Sequence, residues 1–235
     1  MIGFVRMWLC NFLRWSNLRI QNDAKSTVNS RYEKAPPPMP SKALLWFVFV
    51  CIGLIGPSMA QTVSEPPYTL VKNEPPFEVR DYGAMTVAET LIEGDFDVAG
   101  SLGFRRVAGY IFGKNTNAKG ESEKIAMTAP VTMEAQNQQW RLHFVMPQGM
   151  ALGHLPKPVD ASVQLRELPA QRMAAVRFSG LTTAASIDRH TQLLKDWLGR
   201  NNLAFDDRPQ LARYNDPFTL PWNRRNEILI PLKEM

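Results

Sequence analysis

The ten residues from Lys124 to Met133, reading K-I-A-M-T-A-P-V-T-M, constrain this chain more than any other stretch. Ile125, Met127, Ala129 and Val131 alternate with Lys124, Ala126 and Thr128 at the two-residue period of a strand, which predicts one buried strand over the run. Pro130 removes a backbone donor inside it and so marks an edge position or a bulge. The flexible thioethers Met127 and Met133 flank that proline and suit either ordinary core filling or an adaptable apolar surface. The stretch holds no nucleophile and no metal cage. It points to a pocket rather than to a reaction.

The formal charge of +5 belongs to the start of the chain. Residues 1–60 carry seven of the 27 Lys/Arg and two of the 22 Asp/Glu, which leaves 20 of each for the remaining 175 residues. A body with balanced charge lacks the basic excess of a nucleic-acid-binding domain, and that class is set aside. Lys42 precedes an apolar run of 13 residues, Ala43 to Ile55, and Gly56-Pro57 then leads to Ser58-Met59-Ala60. A basic start, a short apolar run and a small-x-small exit predict a signal peptide over 39–60, cleaved after Ala60. The rival is an inner-membrane anchor, for which the run falls short of the ~20 residues that span a bilayer. A compact leader would begin at Met39, so 1–38 reads either as a mis-assigned start or as a long n-region. Both cysteines, Cys10 and Cys51, fall in 1–60, and the body is expected to have neither disulfide nor thiolate site. These features predict a periplasmic or secreted protein that meets a membrane only through its leader if that is left uncleaved, and a monomer is expected.

Residues 61–67 read as a short tether and 68–235 as one domain, long enough for a core of its own. Alternation predicts strands near Tyr68–Val71, Phe77–Asp81 and Met85–Glu93, and Asp95 can cap a helix from Phe96 to Phe112, stopped by Gly113. Strands follow at Lys124–Met133 and Trp140–Met146, then a Gly/Pro-rich loop over Gln148–Asp160. The order returns as strands Val163–Leu168 and Arg172–Gly180, a helix Thr183–Gly199, and strands Leu211–Tyr214 and Glu227–Pro231. Strand-helix-strand-strand thus occurs twice, offset by about 84–89 residues as read from the sequence. Two such units bury most surface as an α+β fold in which duplicated β-α-β-β units form a distorted antiparallel β-barrel flanked by two α-helices.

Four motifs are recognisable in order: Phe77-Glu78-Val79-Arg80-Asp81-Tyr82, then Tyr110 to Asn115 leading into Met127-Thr128-Ala129-Pro130-Val131, then Tyr214-Asn215-Asp216-Pro217, then Arg224-Arg225-Asn226-Glu227-Ile228. Together they cover roughly 68–232, and the chain resembles the SOUL/haem-binding protein family. The resemblance implies a distorted antiparallel β-barrel with two flanking helices, and haem or a related tetrapyrrole as ligand. The duplicated unit is also similar to the effector-binding modules of GyrI-like proteins, which implies a general small-molecule pocket.

The first helix carries Gly100, Gly103 and Gly109, each costing about 1 kcal/mol against alanine in a helix interior. Close packing on the sheet is one reason for them. A flat floor for a planar ligand is the other, with Phe104 and Tyr110 offering ring faces and Arg105 and Arg106 reaching for carboxylates. Haem presents two propionates beside a large apolar ring, and the family resemblance implies use of this helix. Phe104, Arg105, Arg106, Tyr110, Met127 and Met133 are therefore the candidate ligand-binding residues. Family members with histidine in the V-R-x-Y motif differ from this chain, which has Asp81 there. His143 reads as a satisfied sheet residue, His154 as an exposed loop residue and His190 as a helix boundary residue. Haem would then be held by burial and charge, with a methionine or no strong ligand at the iron.

Arg224 and Arg225 suit either a turn network with Asp216 and Glu227 or a second anionic contact. The sequence has no Gly-rich phosphate loop, H-E-x-x-H or G-x-S-x-G. An enzyme would have to assemble scattered carboxylates such as Glu89, Glu93 or Glu134. The expected function is reversible haem binding for carriage, buffering or sensing. A hydrolase or effector-binding module using the same cleft is one alternative, and a protein-interaction module another.

Overall fold

A computed structural model describes residues 63–233. The leader assigned to 1–38 and 39–60 and the first two residues of the tether lie outside the described residues. Of the tether, Ser64 O accepts from Ala129 N at 2.9 Å, and both carboxylate oxygens of Glu65 accept from Arg225 at 3.0 Å.

The first half of the domain runs β1 (Tyr68–Glu74), β2 (Phe77–Tyr82), β3 (Met85–Glu93), α1 (Phe96–Ile111), β4 (Asn115–Thr116), β5 (Val131–Gln136) and β6 (Gln139–Val145). A 3-10 turn at Leu152–His154 and β7 (Lys157–Pro158) then cross to the second half. That half is β8 (Gln164–Leu168), β9 (Gln171–Phe178), α2 (Ala184–Arg200), β10 (Gln210–Arg213), a 3-10 turn at Pro221–Asn223 and β11 (Asn226–Pro231). Nine strands form one antiparallel sheet in the order β1-β2-β9-β11-β10-β5-β6-β3-β8, curled into a half-barrel, while β4 and β7 pair separately.

The duplication is visible in the pairing. β3-α1-β5-β6 and β9-α2-β10-β11 are the two units, and they join where β5 meets β10, with Met133 opposite Leu211. The strand preceding each unit crosses to the other one. β2 leads into β3 yet pairs with β9, and β8 leads into β9 yet pairs with β3. Each half is therefore closed by a strand from its partner. The described residues lie within one compact unit and contain all these pairings and all three apolar clusters, a core of their own.

Local chemistry explains most boundaries. Thr183 Oγ1 accepts from Ser186 N at 3.3 Å and caps α2. Asp95 occupies the cap position of α1 without a side-chain capping bond. Asn137 and Gln138, at φ 47° and 65°, make the tight turn that joins β5 to β6. Lys124–Met133 departs from the expected single strand. Ladder pairing begins only at Val131, because Pro130 has no N–H to offer the sheet. Lys124–Pro130 instead runs over the end of α1, where Ile125 N donates to Ile111 O at 2.9 Å. Ile125 and Ala129 stay buried, but Met127 turns outward.

Strand alternation gives the sheet two faces. One carries both helices: Val107, Tyr110 and Ile111 pack on Ala88, Ile92, Leu142 and Phe144, while Leu194, Trp197 and Leu198 pack on Ala174, Val176, Ile228 and Ile230. The helix glycines face these contacts. A Cβ on Gly103 would sit 2.7 Å from Ile92 Cδ1 and 3.0 Å from Leu142 Cδ1. One on Gly100 would lie 3.2 Å from the Arg213 guanidinium, and one on Gly109 would lie 3.1 Å from Lys114 Cδ. They are packing glycines, not the surface of a ligand floor.

Candidate functional site

Phe104, Ala108 and Phe112 recur at four-residue spacing and so share one flank of α1. Lys124–Pro130 runs along that flank and brings Met127 against it. Together with Val107, Ile111, Val131, Leu142 and Phe144 they line an apolar groove. Its enclosed part is about 10 Å³, room for at most about one water molecule, so no ring system enters it. The mouth is different. Phe112 is 57% exposed and Met127 42% exposed, leaving a ring and a thioether on open apolar surface. An apolar plate can lie across this mouth.

Arg105 and Arg106 part company. Helical geometry places Arg105 on the same flank as Phe112, and it is exposed. Arg106 lies across the helix and donates to Thr90 Oγ1 and Leu91 O at 3.4 and 3.3 Å. Tyr110 is buried, and its hydroxyl donates to Pro156 O at 2.9 Å. Burial, with Glu123 nearby, pushes that phenol up to about 12. Met133 is buried beside Arg213, whose Nη2 lies 3.7 Å from its sulfur. The structure thus brings Phe104 and Met127 to one groove, leaves Arg105 exposed on the neighbouring flank of α1, and places Arg106, Tyr110 and Met133 elsewhere.

The helix-free face of the sheet holds a second concentration of chemistry. Arg80 donates to both Glu227 oxygens at 2.6 and 3.1 Å, Tyr214 Oη to Oε2 at 2.9 Å and Arg225 Nε to Oε1 at 2.9 Å. Burial alone would raise the Glu227 carboxyl, yet these donors hold it below the usual range. Further along, Glu89 meets His143 Nε2 at 3.1 Å and Arg166 at 2.7 and 3.1 Å, while Arg141 spans Glu89 at 3.9 Å and Glu134 at 3.2 Å. The His143 hydrogen bond, ahead of those from Arg166, pushes Glu89 down to about 2 against the effect of burial. Two of the three scattered carboxylates, Glu89 and Glu134, thus share the Arg141 guanidinium. A carboxylate held so low serves as a counter-ion at neutral pH rather than as an acid or base. Glu93 is exposed and accepts from Gln139.

No histidine reaches the groove. His143 lies on the helix-free face between Glu89 and Thr132, and His154 is exposed. His190 stacks on Phe178 with centroids 4.0 Å apart. Among the described residues no group of three or more His, Cys, Asp or Glu is arranged to hold a metal ion. For a haem ring the groove fits as a surface: Phe104, Phe112 and Met127 would hold the plate and Arg105 a carboxylate at its edge. Among the described residues that line the groove, Met127 alone carries an iron-ligating atom, its thioether sulfur.

The sequence profile described as SOUL heme-binding protein matches residues 63–231. The chain belongs to the SOUL family. Heme-binding protein 2 of Homo sapiens is 26% identical over 189 residues, covering 75% of this chain and 89% of the human protein. Its Mus musculus counterpart is 26% identical over 161 residues, covering 65% and 76%. The fold is shared more widely. An uncharacterized conserved protein from Listeria innocua superposes with a TM-score of 0.52 at 12% identity, covering 67% of this chain and 92% of that one. The EcmrR C-terminal domain superposes at 0.50 and 13% identity, covering 72% and 99%.

Within this SOUL-family chain, sequence reasoning missed Phe112 as a site residue. The signal was available, since Phe112 is eight residues beyond Phe104 and thus two turns along the same flank. Leu142 and Phe144 were hidden in an ordinary strand pattern. Asp81, in the V-R-x-Y motif, forms an exposed ion pair with Arg172 at 2.6 and 2.7 Å.

Proposed function

We propose that this protein binds haem or a related tetrapyrrole reversibly, laid across the groove beside α1. The observation that carries the reading is the exposure of Phe112 and Met127 over an apolar groove, in a chain of a family named for heme binding. Phe104, Phe112 and Met127 would cover one face of the ring, and Arg105 would pair with a propionate. Arg106, already donating to Thr90 and Leu91, contributes less. When bound, the group supplies the iron and the ring. The chain's own part is to withdraw an apolar plate from water and neutralise one carboxylate. Among the described residues no histidine or thiolate lies at the mouth, so binding is moderate and exchangeable, which suits carriage, buffering or sensing. The leader supports an exported setting, periplasmic or secreted, with the body acting as a monomer.

A haemin titration of residues 61–235 followed by Soret absorbance tests this. Saturation at one equivalent is expected. Phe112→Ser/Met127→Gln should weaken it at least about tenfold, since each apolar side chain contributes on the order of 1.5 kcal/mol or more when covered. Uptake that never saturates and ignores the substitutions would overturn the reading.

A further inference from the structure

The segment between Asp216 and Arg224 plays no part in the groove, yet it presents Phe218, Leu220 and Trp222 to solvent, 75%, 52% and 69% exposed. Three large apolar side chains at alternate positions protrude singly instead of lining a cleft. Their backbone is held from within. One Asp216 carboxylate oxygen accepts from Phe218 N, Thr219 N and Thr219 Oγ1 at 2.8, 2.9 and 3.3 Å. Arg224 donates to Thr219 O and Pro217 O at 2.8 Å each. Pro221 O accepts from Gly180 N and Leu220 O from Asn223 N, both at 2.9 Å. Pro217 and Pro221 bring no N–H at all. A loop that satisfies most of its own polar groups and points its apolar ones outward can enter an apolar medium at little cost. The Gly180 bond also sets exposed Leu181 beside the loop.

We propose that this loop docks the domain on a lipid bilayer, with Trp222, Phe218 and Leu220 seated at the headgroup boundary. Protruding anchors fit a fluid surface, whereas a protein partner would need three matched holes. Tryptophan is the side chain that bilayer interfaces favour. Arg225, which holds Glu65, donates its backbone N–H to Asn215 Oδ1 at 2.6 Å and so fixes the root of the loop. Asp95, Asp97 and Arg224 border the cleft beside Leu181, and this mixture of both charges matches zwitterionic headgroups.

The test is flotation of residues 61–235, free of the apolar run, with phosphatidylcholine vesicles. Wild type should partition onto them. Phe218→Ser/Leu220→Ser/Trp222→Ser should lose at least about tenfold in partitioning, with unchanged far-UV circular dichroism. Trp222→Phe should keep most of it, and wild-type tryptophan emission should shift to the blue on binding where Trp222→Phe does not. Equal partitioning of wild type and the triple variant would overturn the proposal. So would a wild type that stays in solution, or one that forms a dimer which the triple variant abolishes, since a second copy would then cover the loop.

Discussion

Arg80 and Glu227, 147 residues apart in sequence, meet through two hydrogen bonds of 2.6 and 3.1 Å and are both buried on the helix-free face of the sheet. Glu227 also takes Arg225 and Tyr214, so one buried carboxylate faces two guanidiniums whose other partners, Glu78 and Glu65, lie nearer the surface. Removing it leaves both cations without their buried partner. Glu227→Gln should destabilise the domain by about 3–5 kcal/mol. Combining Arg80→Met with Glu227→Leu should cost less than the sum of the two single changes, because the orphaned charge is removed with its partner. Urea unfolding of the wild type and the four variants measures both effects.

Gly103 gives a second expectation. Its Cβ would meet Ile92 and Leu142 at distances that side chains do not tolerate, so Gly103→Ala should destabilise by about 1–3 kcal/mol despite alanine's better helix propensity. Gly199 in α2 has open space around it, and Gly199→Ala should be neutral or stabilising by up to about 1 kcal/mol. Thermal melts of the pair distinguish packing from propensity.

Glu89 sets an acid limit on stability. Its carboxyl sits at about 2 in the folded chain against an ordinary 4.5, so between these values the unfolded chain binds a proton that the folded chain does not. The stabilisation is complete above pH 4.5 and is lost as pH falls through about 2. Glu89→Gln should therefore flatten the decline of unfolding free energy in that window, as read from urea midpoints at a series of pH values. An unchanged slope would mean that the His143 and Arg166 contacts do not hold in solution.

The duplicated unit and both helices were legible because their signals are local: the Gly113 stop after α1, the strand alternation of Met85–Glu93, and the apolar positions of α2. The exchange of β2 and β8 between units was not legible, since no local pattern says which distant strand a strand will pair with. Lys124–Met133 misled because alternation continues through a stretch that Pro130 keeps out of the ladder. The same departure turns Met127 outward and creates the mouth of the groove. Arg106 and Tyr110 read as ligand contacts on composition, and their actual partners, Leu91 O and Pro156 O, are backbone atoms that sequence cannot point to.

Location is the most direct test of the ligand-binding account. Zinc protoporphyrin IX, which is diamagnetic, can be titrated into ¹⁵N-labelled residues 61–235 and followed by amide chemical shifts. The account predicts saturable shifts clustered on Phe104–Phe112 and Ile125–Val131, with the Arg105 side-chain resonance moving alongside them. Shifts centred on Glu89, His143 and Glu134, or scattered without saturation, would contradict it.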